Sequence, residues 1–320
     1  MKNKIMGASL AHTFQKFSSV LILLIMIIFM SLANENFFSG SNFVNIIKQS
    51  SVLGIMAVGE TLVILTAGID LSVGSTMALS GCVIAIASTQ WGVAPLPAVL
   101  LGIVTGTIAG TLNGVIITKL RIQAFIATLG MMTVAQGAAL LLTDGLPISG
   151  IEDSILVAGS GMFIGLPISV FVFLIVAVMG IVLLNRTTLG RNVVAVGGNP
   201  EASKTSGIKV DGTQIIVYCL CGLCCALAGY VMVGRLNSAN GLMGDGQELL
   251  SITAVALGGT SLAGGVGGIG GTIIGVVTIG VLNNGLDLMN TTPFWQKIIL
   301  GTLIVTVVAL DSWRNRKFKD

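Results

Sequence analysis

Charged residues divide this chain into long apolar runs. None falls within residues 17–34, 71–118, 122–143, 154–185, 212–234 or 249–286. A helix crossing the hydrocarbon core of a bilayer needs about 20 mostly apolar residues, so each run holds one or two spans. Fitted to that length, spans fall near 17–33, 49–68, 72–90, 94–118, 122–142, 167–184, 214–235, 248–263, 269–289 and 295–311. The expected fold is an all-α polytopic membrane protein of about ten transmembrane helices, forming one transmembrane domain over 1–320. Ten crossings return both termini to one side.

The basic residues agree with that parity. Thirteen of the 16 fall in five places: Lys2, Lys4 and Lys16; Lys119 and Arg121; Arg186 and Arg191; Lys204 and Lys209; Arg314, Arg316, Lys317 and Lys319. Lys and Arg concentrate in cytoplasmic loops. The expected cytoplasmic parts therefore include an N-terminus at 1–16, a loop at 185–213 and a tail at 312–320. The connections at 35–48, 143–153 and 236–248 are more acidic and go outside. Lys48, Arg235 and Lys297 are read as span-end residues that snorkel to the interface.

Composition sharpens the exclusion of a soluble protein. Hydrophobic residues make up 54% of the chain and charged ones 9%, with a mean hydropathy of +0.98; soluble domains carry about 25% charged residues. The N-terminus has the outline of a signal peptide but no small-x-small cleavage site, and reads as a retained first helix. All five cysteines sit in apolar runs. Four of them, Cys219, Cys221, Cys224 and Cys225, include a C-x-x-C. With no charge or His nearby they read as small packing residues rather than a metal or redox site.

Glycine is used as a packing residue too. Gly102, Gly106, Gly110 and Gly114 recur every fourth position and should line one helix face, letting a neighbouring backbone approach closely. Gly106-Thr-Ile-Ala-Gly110 is echoed by Gly271-Thr-Ile-Ile-Gly275, and Leu112-Asn113 by Leu282-Asn283. The two copies would cross the membrane in opposite senses, a weak inverted-repeat signal of the kind transporters carry.

Polar groups inside spans are the candidate chemistry. Thr66-Ala-Gly68-Ile-Asp70-Leu-Ser72-Val-Gly74-Ser75 interrupts two apolar runs. An Asp at membrane depth costs roughly 2.5–3.5 kcal/mol on insertion scales, so Asp70 should face protein, water or a helix end. Ser72 and Ser75 could cap the following helix, making this a capped turn at the cytoplasmic side, or the segment could be a break lining a pathway. Glu60 is either a pathway group or a hydrogen-bonded carboxyl filling a helix interface. Asn113, Gln123, Gln136, Asn283 and Asn284 could hydrogen-bond a passing solute or hold helices together. The candidate translocation pathway is thus Glu60, Asp70, Ser72, Asn113, Gln123, Asn283 and Asn284.

Catalysis finds no support. His12 is the only histidine and precedes the first span. Gly265-Val-Gly267-Gly-Ile-Gly270 fits G-x-G-x-x-G but has no βαβ unit around it, and reads as packing or a tight reentrant turn. Gly198-Asn-Pro-Glu-Ala-Ser203-Lys204-Thr205 departs from a Walker A motif at Ser203. No cofactor, catalytic residue, metal site or nucleic-acid partner is expected.

The 185–213 loop is the most informative polar segment. Asn199 can N-cap a short helix with Pro200 in its first turn, Glu201 favouring the dipole and Gly207 ending it. Such a helix suits docking to a cytosolic partner, or is merely a stable surface loop. It resembles the E-A-A-x-x-x-G signature of importer permeases, with Ser203 replacing the second alanine. Together with Gly68-Ile-Asp-Leu-Ser-Val-Gly74, Leu189-Gly-Arg191 through Glu201, and Leu257-Gly-Gly-Thr-Ser-Leu-Ala-Gly-Gly265, the chain resembles the ribose/xylose/galactoside-type ABC permeases over residues 40–311. The resemblance implies a homodimer, separate cytosolic ATPase subunits that bind ATP, and a periplasmic or lipid-anchored sugar-binding protein. It places Arg191, Asn199, Glu201, Ala202 and Gly207 in the coupling loop, and implies import of a monosaccharide, a ribose-like pentose first, across the bacterial inner membrane. An ion-gradient-driven secondary transporter and a branched-chain amino acid permease are the alternatives.

Overall fold

The computed structural model describes residues 19–317, with side chains to residue 309. Lys2, Lys4, His12 and Lys16 at one end, and the side chains of the basic tail at the other, lie outside that description. Apolar helices form at each of the ten expected places: α1 (Ser19–Ala33), α2 (Gly40–Leu65), α3 (Val73–Thr89), α4 (Pro95–Lys119), α5 (Ala124–Leu142), α7 (Ile168–Arg186), α10 (Val210–Leu236), α11 (Gln247–Leu257), α12 (Ile269–Leu288) and α13 (Pro293–Lys317). Between them lie α6 (Asp153–Ser160), a two-stranded hairpin β1–β2 (Met162–Phe163 and Leu166–Pro167), α8 (Thr188–Gly198) and α9 (Pro200–Thr205). Large apolar side chains such as Phe29, Leu100, Leu141, Ile175 and Met179 face outward, as a lipid-facing surface requires.

Six of the described helices, α2, α4, α5, α7, α10 and α12, are long and apolar enough to cross a bilayer, so ten equal spans are not what forms. The expected span at 248–263 is the clearest departure. Its helix α11 stops at Leu257 and rises only about 16 Å, half the hydrocarbon thickness. Residues 258–268 then run irregularly, with Gly259, Gly264, Gly265 and Gly267 in left-handed backbone, over the stretch where packing or a tight reentrant turn was expected. α2 begins nine residues earlier than expected because Ser39 caps it, accepting from the backbone N–H of Asn42 at 3.3 Å. Lys48 therefore sits within α2 rather than at a span end, and only 35–39 of the expected outer connection remains non-helical. The 185–213 segment is two helices, not a loop with one. Thr187 caps α8 by accepting from Gly190 N–H, and α8 buries Val193 and Val196 while exposing Arg191 and Val194.

α2 is the centre of the bundle, buried continuously from Ser50 to Leu65. α10 lies against it and against α4 along most of their lengths. The α4 glycines meet α10 as their spacing predicts. A methyl group on Gly106 would fall 2.9 Å from the Gly222 carbonyl, one on Gly110 2.9 Å from Gly222 N and Cα, and one on Gly114 2.8 Å from Ile215 Cα. The pairing 106/222, 110/218 and 114/215 makes the helices antiparallel. The cysteines of α10 pack likewise: Gly59 of α2 lies against Cys221 Cα and Cys224 Cβ.

The sequence echo has a structural counterpart. α3 precedes α4 and packs on its glycine face through Ser80 and Ile84, while α11 precedes α12 and meets Gly271 and Gly275 through Gly258 and Ala254. α3 and α11 start side by side, Gly74 touching Gly244 backbone to backbone. From there α3 runs toward the Pro95 end of α4. α11 runs the other way, toward the turn whose Gly265 N–H donates to Leu65 C=O at 3.0 Å. Two short helices diverging from one point are an inverted pair.

Gly110→Leu should overpack the α4–α10 seam and cost about 1–3 kcal/mol, lowering Tm in detergent by roughly 2–12 °C. Gly130→Ala on α5, where an added Cβ meets nothing within 4 Å, should not lower Tm. Melting followed with a thiol-reactive dye, which reads exposure of the buried cysteines, checks both.

Candidate functional site

The break between α2 and α3 is buried, not a surface turn. Thr66 and Gly68 both donate to Val63 C=O, and Ala67, in left-handed backbone at φ 61°, donates to Ile64 C=O. These bonds stop α2 and turn the chain so that Asp70 doubles back beside Glu60, whose Oε1 accepts from Asp70 N–H at 3.2 Å. Asp70 Oδ1 accepts from the backbone N–H of Ser72 at 2.9 Å and from its hydroxyl at 2.6 Å. Asn113 of α4 completes the group, its Nδ2 donating to Ser72 Oγ at 2.8 Å and reaching both Asp70 oxygens at 3.4 Å. Glu60 and Asn113 have no solvent exposure and Asp70 2%.

Four expected pathway residues, Glu60, Asp70, Ser72 and Asn113, are therefore one cluster. Ser72 does occupy the N-cap of α3 but makes no side-chain cap. Its hydroxyl is turned back to Asp70, which leaves the carboxylate to sit at the positive end of α3. A carboxylate oxygen of Glu248 also lies at this helix start, 2.5 Å from where a Gly74 methyl would be. Tyr218, which pattern reading passed over, holds the break from outside by donating to Ile69 C=O at 3.4 Å, while the Thr128 hydroxyl lies 3.3 Å from the same carbonyl and 2.9 Å from Ala124 C=O of its own helix. Tyr218 carried one signal: a hydroxyl in the charge-free run 212–234 needs a partner.

Three other expected residues are elsewhere. Gln123 is exposed just before α5 and provides no side-chain cap. Asn284 is a clamp: its Nδ2 donates to Asn42 Oδ1 at 2.8 Å while Asn42 Nδ2 donates back at 2.9 Å, tying α12 to the start of α2. Asn283 lines a cavity of about 360 Å³ with Gln49, Ser50, Arg235, Gln247 and Asp287. This cavity lies at the Leu236 end of α10, away from α8.

At the opposite end, α9 is capped as its sequence predicts. Asn199 Oδ1 accepts from Ala202 N–H at 2.9 Å, with Pro200 and Glu201 in the first turn. Gly207, at φ 83°, closes the helix by donating to Lys204 C=O, and Ile208 donates to Ser203 C=O, both at 3.0 Å. Glu201, Ala202, Lys204 and Thr205 are exposed, whereas Ser203 is buried. The residue that departs from the E-A-A signature is thus the one facing inward, where a small side chain is needed.

The two regions touch through backbone. A methyl on Gly197, at the end of α8, would collide with Leu65 C=O and lie 2.6 Å from Gly265 N; one on Gly264 would lie 2.8 Å from Ala67 N and Cβ. The exposed α8–α9 hairpin therefore rests directly on the end of α2 and on the first residues of the break.

A family profile described as "Branched-chain amino acid transport system / permease component" matches residues 42–308. The chain is 46% identical over 300 residues to the ribose import permease protein RbsC of Escherichia coli K12, covering 92% of each. It is 44% identical over 299 residues to the RbsC of Bacillus subtilis, covering 93% of this chain and 92% of that one. To the fructose import permease protein FrcC of Rhizobium meliloti it is 37% identical over 303 residues, covering 92% and 84%. No solved structure matches.

Asp70→Asn keeps the size but weakens an acceptor that satisfies Ser72 twice, and should cost about 1–3 kcal/mol. Its Tm should fall measurably more than that of Gln123→Ala, an exposed control.

Proposed function

Because the chain belongs to the family of transport-system permease components described above, we propose that it is the membrane permease subunit of an ATP-driven, binding-protein-dependent importer for a monosaccharide, with a ribose-like pentose as first cargo. The near full-length likeness to import permeases named for ribose and fructose carries this reading. The family description, which names branched-chain amino acids, supplies the competing cargo.

In this reading the α8–α9 hairpin faces the cytoplasm with both termini. Its exposed basic residues, Arg191 and Lys204, support that side. The hairpin docks on a cytosolic ATPase, which binds and hydrolyses the ATP; a binding protein delivers sugar at the Leu236 end of α10; and a second copy of the chain completes the pathway in the bacterial inner membrane. Arg191, Asn199, Glu201, Ala202 and Gly207 form the docking element. Nucleotide-driven motion of α9 is passed by α8 to Leu65 and Gly265, where contact is backbone to backbone and leaves no slack. The buried Glu60–Asp70–Ser72–Asn113 cluster then acts as the element that the motion rearranges between two packed states. Access alternates between the two ends without a continuous channel.

Glu201→Lys should reduce sugar uptake by the assembled transporter about tenfold or more, as expected for charge reversal in a docking surface, with Tm unchanged. Normal uptake in that variant would remove α9 from the coupling path. A cysteine at Lys204 should react with a charged thiol reagent only from the inner side. If the purified chain alone moved sugar down an ion gradient, the importer reading would fall.

A further inference from the structure

The β1–β2 hairpin stands at the far end of α7 from α8, and every side chain in it is apolar. Met162-Phe-Ile-Gly-Leu-Pro167 lies inside the charge-free run 154–185. The strands pair Met162 with Pro167 and Phe163 with Leu166, which leaves Ile164 and Gly165 as a two-residue loop. At its base, Ile168 N–H donates to Gly161 C=O at 2.9 Å. Both loop residues have left-handed backbone, at φ 51° and 76°. Loops of that kind favour Asn-Gly or Asp-Gly, and a β-branched residue there is strained. Ile164 instead puts a large apolar side chain at the tip, 82% exposed.

The hairpin is laid against the outward face of α7. Phe163 packs edge-on against Phe171, with ring centroids 5.5 Å apart and planes at 77°. Phe171 belongs to the first turn of α7 and shares a face with the outward-pointing Leu174, Ile175, Val178 and Val182. α7 has 19 residues and rises about 28 Å, close to the hydrocarbon thickness of about 30 Å. Its first turn therefore lies at the edge of the hydrocarbon, and the hairpin lies there with it.

We propose that the β1–β2 hairpin is an interfacial anchor, whose tip of Met162, Phe163 and Ile164 enters the acyl chains of the leaflet at the Leu236 end of α10. Such an anchor serves any cargo, so it stands apart from the import reading. Its tip continues the lipid-facing stripe of α7, and its paired strands satisfy backbone groups that lipid cannot. A water-soluble partner is the competing occupant. The connections at this end that suit one carry exposed carboxylates, Asp144, Glu152, Asp153 and Asp245; the hairpin offers no charge and no hydrogen-bonding side chain. α6 ties the anchor to the bundle, because a methyl on Gly159 would fall 2.5 Å from the Gly234 carbonyl carbon of α10.

The test places spin labels at Ile164→Cys, Ile175→Cys and Glu152→Cys in the full chain, reconstituted in phosphatidylcholine vesicles. The signal of the identically treated parent chain is subtracted. Power saturation then compares collisions with oxygen, which concentrates in hydrocarbon, and with a water-soluble nickel chelate. Oxygen should dominate at 164 as at 175, and nickel at 152. Nickel dominance at 164 would overturn the anchor. A nickel signal at 164 that vanishes only when a soluble binding protein is added would overturn it too, and make the hairpin that partner's docking surface. Adding Ile164→Asp to a chain labelled at Met162→Cys should shift position 162 from oxygen toward nickel, since a carboxylate is driven out of hydrocarbon. Ile164 is exposed, so this variant should fold; unchanged collisions in it would count against the anchor.

Discussion

The approach of α4 to α10 with no side chain between them is the constraint on which the rest of this bundle depends. In lipid, helices gain nothing by hiding apolar surface from one another, because the acyl chains are equally apolar; association rests on close packing and polar contacts. Gly106, Gly110 and Gly222 bring the two backbones together. That closeness sets the depth at which Asn113 of α4 and Tyr218 of α10 meet the chain between α2 and α3. A wider seam would carry both away from Asp70 and Ile69. The polar cluster is thus a product of glycine placement as much as of the polar residues themselves.

Irregular backbone at membrane depth is tolerated only where protein satisfies it. The segment 66–72 meets that condition from three sides: its own preceding helix, the Glu60 and Asp70 carboxyls that accept from Asp70 and Ser72 N–H, and Tyr218 on Ile69 C=O. Residues 258–268 meet it by a different device, with Gly265 bonding the end of α2 and Thr260 Oγ1 accepting from Gly268 N–H. Both irregular stretches converge on Leu65–Ala67, directly under α8. Surface hairpin and buried break are therefore adjacent.

Much of this was legible in the residues. Charge-free runs located eight of the ten apolar helices and mostly apolar stretches around Glu60 and after Lys297 the other two, the four-residue glycine spacing identified the α4 face, and Asn199, Pro200 and Gly207 bounded α9. These signals are local, and local physics produces them. The start of α2 was misplaced because a polar stretch, Ser39 to Lys48, is helical by virtue of one cap and later packing on α12. α11 was overextended since hydropathy does not register where glycines leave helical backbone. Joining Glu60 to Asp70 was beyond pattern reading because the two are brought together by a chain reversal at Ala67, whose left-handed backbone has no signature in an alanine. Asn283 and Asn284 are adjacent, and only the register of α12 decides that one is a clamp and the other faces a cavity.

The point where α3 and α11 diverge is closed by Gly74 and Gly244, backbone on backbone, with the Glu248 carboxylate beside them. A contact made by two backbones has no side chain of its own to shorten. It loosens only when whole helices part. Any displacement of α3 against α11 is then a movement of whole helices, one that trimming side chains cannot imitate.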